Sequence, residues 1–236
     1  MKDFFSHTYG IKFIPFSNLH IFLIILTVLP VLYIYFSQNK LKNHTSKKYM
    51  AKIFAFILLL NQFIFTVGYI WSGHFDIARD LPLHYCYVTG YLYIYMLLFN
   101  KKNMYNWLYY SVFMCTTASI IWMDIGNSYD RFIFYKFFLG HSGLFIMNIY
   151  CFYILNYPVN KTGALIAWVY SNILFIVMYI YNNIFNTNYI MSKTLPAFIY
   201  DTYPWVKIID QPIVWLELAG LLILLISYIP VYYKNR

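Results

Sequence analysis

The chain has 236 residues, of which 61% are hydrophobic and 11% charged, and its 17 Lys and Arg outnumber 8 Asp and Glu. In a soluble domain about a quarter of all residues are charged, so this composition excludes an ordinary soluble protein. Long apolar runs recur from end to end, which predicts one integral membrane domain over residues 1–236. We therefore expect membrane lipids as partners and no nucleic acid.

Three cysteines, Cys86, Cys115 and Cys151, fall within apolar runs, and their spacing fits no zinc or disulfide framework. We accordingly expect no metal and no cofactor. The first apolar run, from Leu19, lacks a cleavage site of small residues, so we interpret it as a retained span and not a signal peptide. The abundance of Tyr, Phe, Ile, Asn and Lys, whose codons are AT-rich, indicates the plasma membrane of a low-GC bacterium as the location.

Apolar runs of the length that a bilayer requires, about 20 residues, predict an all-α polytopic bundle of seven transmembrane helices. The predicted spans are residues 19–37, 50–72, 82–99, 106–124, 135–155, 162–183 and 212–233. Pro82 suits the first turn of the third span. The seventh span contains Glu217, and a carboxylate at the centre of a span costs about 3 kcal/mol. The aliphatic residues of that span outweigh this cost, so we keep it as a span.

The charged residues between the spans predict an orientation. The basic segments that contain no acid carry Lys40, Lys42, Lys47, Lys48, Lys101, Lys102, Lys161, Lys234 and Arg236. The opposite side carries the acids Asp3, Asp76, Asp80, Asp130, Asp201 and Asp210. The positive-inside rule then places the N-terminus outside and the C-terminus inside. The long stretch 184–211 contains Pro196, Pro204 and Trp205, which favours an ordered outer cap or a re-entrant segment.

Polar side chains gather at one depth on these spans, in the outer half of the bilayer. They are Asn61, Gln62, His84, Cys86, Asp124, His141 and Glu217. Ionisable groups inside a bilayer are costly and mark functional sites, so the pattern predicts a shared polar pocket. Asn148 lies on the helical face of His141, seven residues on, and would extend this pocket inwards. Gly140 and Gly143 would let a neighbouring helix approach closely. The alternative is a set of unrelated side chains at helix ends, where polarity is tolerated.

The pair His84 and Cys86 is not predicted to act as a catalytic dyad, because two helical residues subtend about 200°. A better partner for Cys86 is His141 on the fifth span. A thiol at the start of a helix and near an imidazole is a typical activated nucleophile. The alternative is that Cys86 is a small buried apolar residue, as Cys115 and Cys151 are expected to be.

Three stretches carry a resemblance to a known family: LPLHYC (81–86), FFLGHSGL (137–144) and NYIMSK, YDTYPW and WLE between residues 188 and 217. Together with the seven-span layout, they resemble the YwaF-like (TIGR-type) bacterial integral membrane proteins. That family is distantly similar to eukaryotic multi-pass lipid enzymes, namely a cysteine-dependent acyltransferase of ether phospholipids and the androgen-induced hydrolases of fatty-acid esters. The resemblance implies Cys86 as the nucleophile, His141 as the base and a lipid acyl group as the substrate.

Several functions remain open from the residues alone. The first is a lipid acyltransferase or lipid-ester hydrolase in which Glu217 or Asn148 orients the imidazole of His141. The second is a small-molecule transporter or binding component that uses the same pocket without covalent chemistry, although no inverted repeat supports it. A third is a metal site formed by His84, His141 and Glu217, although no H-x-x-x-H spacing is present. A fourth is a structural or sensor protein whose polar residues only join helices.

Overall fold

The computed structural model of the chain describes residues 2–7, 10–123, 125–209 and 211–234. It describes only the backbone of residues 197, 198 and 202. The described residues form an α-helical fold that contains no β-strand. Its helices are α1 (Asn18–Phe36), α2 (Gln38–Lys42), α3 (Lys47–Ser72), α4 (Ile77–Asp80), α5 (Tyr85–Leu98), α6 (Tyr105–Ile121), α7 (Phe132–Tyr153), α8 (Lys161–Phe185), α9 (Ala197–Thr202) and α10 (Pro212–Lys234). Short 3₁₀ turns join them at Lys2–Phe5, Lys102–Met104, Tyr189–Met191 and Pro204–Ile208.

Five helices in the described part of the chain are long and apolar enough to cross a membrane: α1, α3, α7, α8 and α10. The other two predicted spans are shorter helices, because α5 has 14 residues and α6 has 17. At 1.5 Å per residue, α5 is roughly 21 Å long, which is less than the thickness of a hydrocarbon core. Pro82 does not open α5 as we expected, since the backbone is still extended at Leu81 and the helix begins at Tyr85.

Of the two shorter helices, α6 lies at the centre of the bundle, whereas α5 packs against α3 and α6. Helix α6 packs against α5, α7, α8 and α10. Large apolar side chains on α1, α3, α8 and α10 instead point outwards, and Leu225 and Ile184 are 70% and 69% exposed. Such a continuous apolar exterior is typical of a surface that faces lipid.

Local capping chemistry explains several helix ends. The Ser17 side chain accepts a hydrogen bond from the His20 amide at the start of α1, and Asn160 accepts from the amides of Thr162 and Gly163 at the start of α8. These side chains satisfy amide groups that have no partner within the helix. Helix α3 ends at Gly73, whose φ of 77° is a left-handed conformation that glycine adopts without strain.

Contacts at the two ends of the bundle show how successive helices alternate in direction. At one end, the Tyr150 hydroxyl near the end of α7 donates to the Lys47 carbonyl at the start of α3. The Lys234 ammonium at the end of α10 donates to the Phe152 carbonyl at the same end. At the opposite end, His7 and Asp80 lie 2.9 Å apart. Lys47 and Lys234 therefore lie at one end of the bundle, and Asp80 lies at the other.

The segment between α8 and α10 folds over the carboxylate end and is held by one amide side chain. The Nδ2 atom of Asn182 donates to the Tyr189 carbonyl and to Ser192 Oγ, while its Oδ1 accepts from the Tyr189 amide. The Tyr189 hydroxyl donates to the Ile77 carbonyl at 2.6 Å. Burial raises the pKa of Tyr189 to about 12, so this hydroxyl keeps its proton at neutral pH and remains a donor.

Candidate functional site

A cavity of about 60 Å³ lies between α3, α5 and α7. Its polar wall is formed by Asn61, Gln62, Cys86, Lys136 and His141. The structure therefore places Cys86 and His141 on the wall of one cavity, with two of the six supporting residues that the sequence predicted, Asn61 and Gln62.

Helix α7 approaches α3 closely at two glycines. A methyl group added at Gly143 would lie 3.0 Å from Leu58 Cδ2 and 3.3 Å from Phe54 Cε1, and one at Gly140 would lie 3.7 Å from Asn61 Nδ2. The Asn61 amide also donates to the Lys136 carbonyl at 3.1 Å. Small residues and a side-chain hydrogen bond of this kind join helices in membranes, and here they fix the back wall of the cavity.

The imidazole of His141 is held in one orientation by its own helix. Its Nδ1 atom lies 2.8 Å from the Phe137 carbonyl, which can only accept, so Nδ1 donates the proton. In the neutral ring, Nε2 then carries the lone pair. Nothing within the described ranges hydrogen-bonds Nε2, so this atom has the electronic state that a general base requires. The carbonyl of Phe137 thus orients the ring, a position that we had expected Glu217 or Asn148 to occupy.

Cys86 is the second residue of α5 and is only partly buried, whereas Cys115 and Cys151 are buried in the packed interior. All three are free thiols. A thiol becomes a nucleophile when a base removes its proton, and His141 lines the same cavity. No group of three or more His, Cys, Asp or Glu that could hold a metal ion occurs among the described residues.

Lys136 is the functional candidate that the sequence did not reveal. Its side chain is buried, with 5% of the residue exposed, and its ammonium lies 4.0 Å and 3.9 Å from the ring centroids of Phe65 and Tyr87. No carboxylate in the described ranges lies within 4 Å of it, although it interacts electrostatically at longer range with Asp80 and Cys86. A desolvated cation over an aromatic ring gains about 2 kcal/mol, whereas burying an ammonium costs several kcal/mol. The two rings therefore leave much of the cost uncompensated.

A signal for Lys136 was nevertheless present in the sequence. Lys136, Gly140 and Gly143 are spaced i, i+4 and i+7, so they share one face of α7. The glycines mark this face as the one that packs closely against another helix, which buries the lysine.

The other predicted pocket residues lie elsewhere. His84 precedes α5 and its Nδ1 accepts from the Ile190 amide at 3.3 Å, although its ring still interacts electrostatically with Lys136 and His141. Asn148 donates to the Tyr109 carbonyl, two turns below His141. Glu217 accepts from the Trp168 indole at 2.8 Å, between α10 and α8. None of these three lines the cavity, and Asp124 lies outside the described residues.

Comparison of the sequence with protein-family models gives a match over residues 13–228. No match is found among curated proteins or among solved structures. The matched segment includes all of the cavity residues on α3, α5 and α7. The resemblance to YwaF-like proteins and lipid acyltransferases stays a prediction. The model that matches describes a family of membrane proteins, and the chain belongs to it: the TMEM164 family.

Proposed function

We propose that the protein is an intramembrane lipid acyltransferase or lipid-ester hydrolase in which Cys86 is the nucleophile and His141 the general base. One observation carries the proposal: Cys86 and His141, on separate helices, line one cavity. In addition, the Phe137 carbonyl fixes the imidazole with Nε2 as the acceptor. The stretch LPLHYC resembles YwaF-like proteins, which are distantly similar to cysteine-dependent lipid enzymes, and this resemblance supports the same assignment.

The reaction proceeds in two steps. In the first, Nε2 of His141 takes the proton from the Cys86 thiol as the sulfur attacks the carbonyl carbon of a lipid ester. The ester C–O bond breaks, the leaving alkoxide takes the proton from His141, and the acyl group remains as a thioester on Cys86. In the second step, His141 deprotonates a lysolipid hydroxyl or a water molecule, which attacks the thioester. The C–S bond breaks and the proton returns to the thiolate.

A seven-span topology supports a substrate that never leaves the membrane. Helices α5 and α6 connect the two ends of the bundle like the five longer helices, so the proposal counts all seven as spans. The end that holds Lys47 and Lys234 then faces the cytoplasm, and the N-terminus lies outside. The cavity lies nearer the carboxylate end, because Cys86 and Lys136 are in the first turns of α5 and α7. The proposal therefore places it in the outer half of a plasma membrane, where an acyl chain of a membrane lipid can enter.

The test is covalent labelling of the protein in membranes with a thiol-directed acyl probe. We expect labelling of the wild type and of Cys115→Ala and Cys151→Ala, and none of Cys86→Ala. In His141→Asn, the new amide can still donate to the Phe137 carbonyl but offers no imidazole base. Labelling should therefore be slower by about 10²–10⁴-fold, the usual contribution of a general base.

Equal labelling of the wild type and Cys86→Ala would overturn the proposal. A transporter that uses the same cavity would show a different pattern, in which the movement of a lipid-like ligand is unchanged in Cys86→Ala. Retention of monodisperse protein on size-exclusion chromatography is the control for folding in each variant.

A further inference from the structure

The cavity contains a positive charge for which the protein supplies no close counterion. The Lys136 ammonium faces the rings of Phe65 and Tyr87, and the described residues provide no ion pair to it within 4 Å. Asp80, which interacts with it at longer range, is itself paired with His7 at 2.9 Å. A buried cation in this position is stabilised when an anion enters the cavity.

A second donor lies on α3. Gln62 is 8% exposed and lines the cavity, and its Nε2 group is buried without a hydrogen-bond partner. A buried amide NH₂ that lacks an acceptor is costly, and native proteins keep such groups where a ligand can satisfy them. Lys136 and Gln62 therefore offer an ammonium and an amide to the same space, and both would be satisfied by acceptor atoms such as the oxygens of a ligand.

The remaining walls indicate what carries these oxygens. Ile94 on α5 and Leu144 on α7 line the cavity eight residues beyond Cys86 and Lys136 respectively, which makes its deeper part apolar. Tyr91 also lines it and is 37% exposed on the surface of the bundle, so the cavity opens sideways. Its volume of about 60 Å³ is enough for a few water molecules, and therefore for the two oxygens of a carboxylate.

We propose that Lys136 and Gln62 form an anion-binding site that takes the carboxylate of a single-chain fatty acid, with its hydrocarbon chain directed to the lipid-facing opening. The inference rests on the proposed function because it concerns the same cavity. It does not require covalent chemistry at Cys86. The same two donors would hold the negative charge that forms on an ester oxygen during attack by Cys86. Lys136 and Gln62 are thus binding residues in their own right.

The test uses the full chain in nanodiscs of zwitterionic phosphatidylcholine, labelled with a photoreactive C16 fatty acid. Three competitors share one chain length: hexadecanoate, hexadecanol and hexadecyl phosphate. We expect hexadecanoate to compete at a concentration at least tenfold lower than hexadecanol. Lys136→Met and Gln62→Met should each weaken competition by hexadecanoate about tenfold, whereas Lys136→Arg should keep it within about threefold.

Lys234→Met is the matched control, because Lys234 also lies over an aromatic ring, 4.1 Å from the centroid of Phe152, but at the other end of the bundle. In Lys234→Met, hexadecanoate should compete at the same concentration as in the wild type. The inference would be overturned if hexadecanoate and hexadecanol competed equally in the wild type. It would also be overturned if hexadecanoate competed in both Lys136→Met and Gln62→Met as well as it does in the wild type. Tenfold tighter competition by hexadecyl phosphate would overturn the choice of a carboxylate.

Covalent labelling of the wild type separates this inference from the proposed function. A preference for hexadecanoate in a wild-type protein whose Cys86 takes up no acyl label would support the binding site and contradict the enzymatic proposal. Covalent labelling without any preference for the carboxylate would do the reverse. If Lys136→Met does not fold, Gln62→Met and Lys136→Arg still decide the question.

Discussion

Two buried regions of this bundle treat their polar groups in opposite ways. The first is the tyrosine core on α5 and α6, formed by Tyr93, Tyr105, Tyr109 and Tyr110. Each of these hydroxyls donates to a backbone carbonyl, for example Tyr105 to Asn148 at 2.6 Å and Tyr109 to Ser227 at 3.1 Å. These bonds join α5, α6, α7 and α10, so polarity in this region holds helices together.

The second region is the cavity between α3, α5 and α7, where three polar groups lack protein partners. Gln62 Nε2 has no acceptor, Lys136 has no carboxylate within 4 Å, and His141 Nε2 has no hydrogen bond from the part of the chain that is described. A protein that only needed stability would fill this space with apolar side chains. The comparison indicates that the tyrosine hydroxyls hold helices together, whereas the polar groups of the cavity are available to a ligand.

The largest difference should appear when a methyl group is added at a tight contact of α8 with α6 and, for comparison, beside the cavity. At Gly163 a Cβ would clash with the Asn106 backbone carbonyl on α6, whereas at Gly90 beside the cavity its nearest neighbour is Leu144 Cδ2 at 3.9 Å. We expect Gly163→Ala to lower the free energy of unfolding by about 2 kcal/mol. Gly90→Ala should raise it by up to about 1 kcal/mol, because alanine favours the helix. Unfolding in mixed micelles measures both, and equal effects would contradict the comparison.

Removing the uncompensated charge should make the protein more stable. Lys136→Met keeps the length of the side chain and removes an ammonium that lacks a close anion, so the free energy of unfolding should rise by about 1.5 kcal/mol. Lys234→Met is the control, since it removes a hydrogen bond to the Phe152 carbonyl and should give no gain. Thermal unfolding followed by tryptophan fluorescence measures the change. A clear loss of stability in Lys136→Met would show that the cation belongs to the structure and not to a ligand.

The long helices could be predicted because hydropathy is a local property of the chain. The predicted spans 19–37 and 212–233 differ by one residue or less at each end from Asn18–Phe36 and Pro212–Lys234. The ends of α5 could not be predicted as well. Pro82 would have suited a first helical turn. However, the Leu81 amide donates to the hydroxyl of Tyr189 in the segment between α8 and α10, which is 108 residues away in sequence.

The candidate site was predictable in its residue types and less so in its membership. The sequence shows the depth of a side chain, but the rotation of each helix about its axis decides which residues meet. Asn148 shares a helical face with His141, yet it faces α6 and the tyrosine core because the cavity does not extend beyond Leu144. Glu217 accepts from Trp168 between α10 and α8, and neither of these helices lines the cavity.

A single hydroxyl tests the structural region. Tyr105→Phe keeps the ring and removes the hydrogen bond to the Asn148 carbonyl, so we expect the free energy of unfolding to fall by about 1 kcal/mol. Tyr91→Phe is the control, because this hydroxyl belongs to an exposed side chain at the cavity opening. It should change stability by less than half as much. Equal losses in the two variants would remove the distinction between the regions.

The smallest effect on stability should come from Gln62, and this small value is the informative one. Gln62→Met conserves the volume of the side chain and removes an amide whose Nε2 has no partner, so no hydrogen bond to Nε2 is lost. We expect the free energy of unfolding to stay within about 0.5 kcal/mol of the wild type. Asn61→Met on the same helix is the contrast, because it removes the donor to the Lys136 carbonyl and should cost about 1 kcal/mol. A loss in Gln62→Met as large as that in Asn61→Met would mean that the amide is satisfied within the protein, and the cavity would then resemble the tyrosine core.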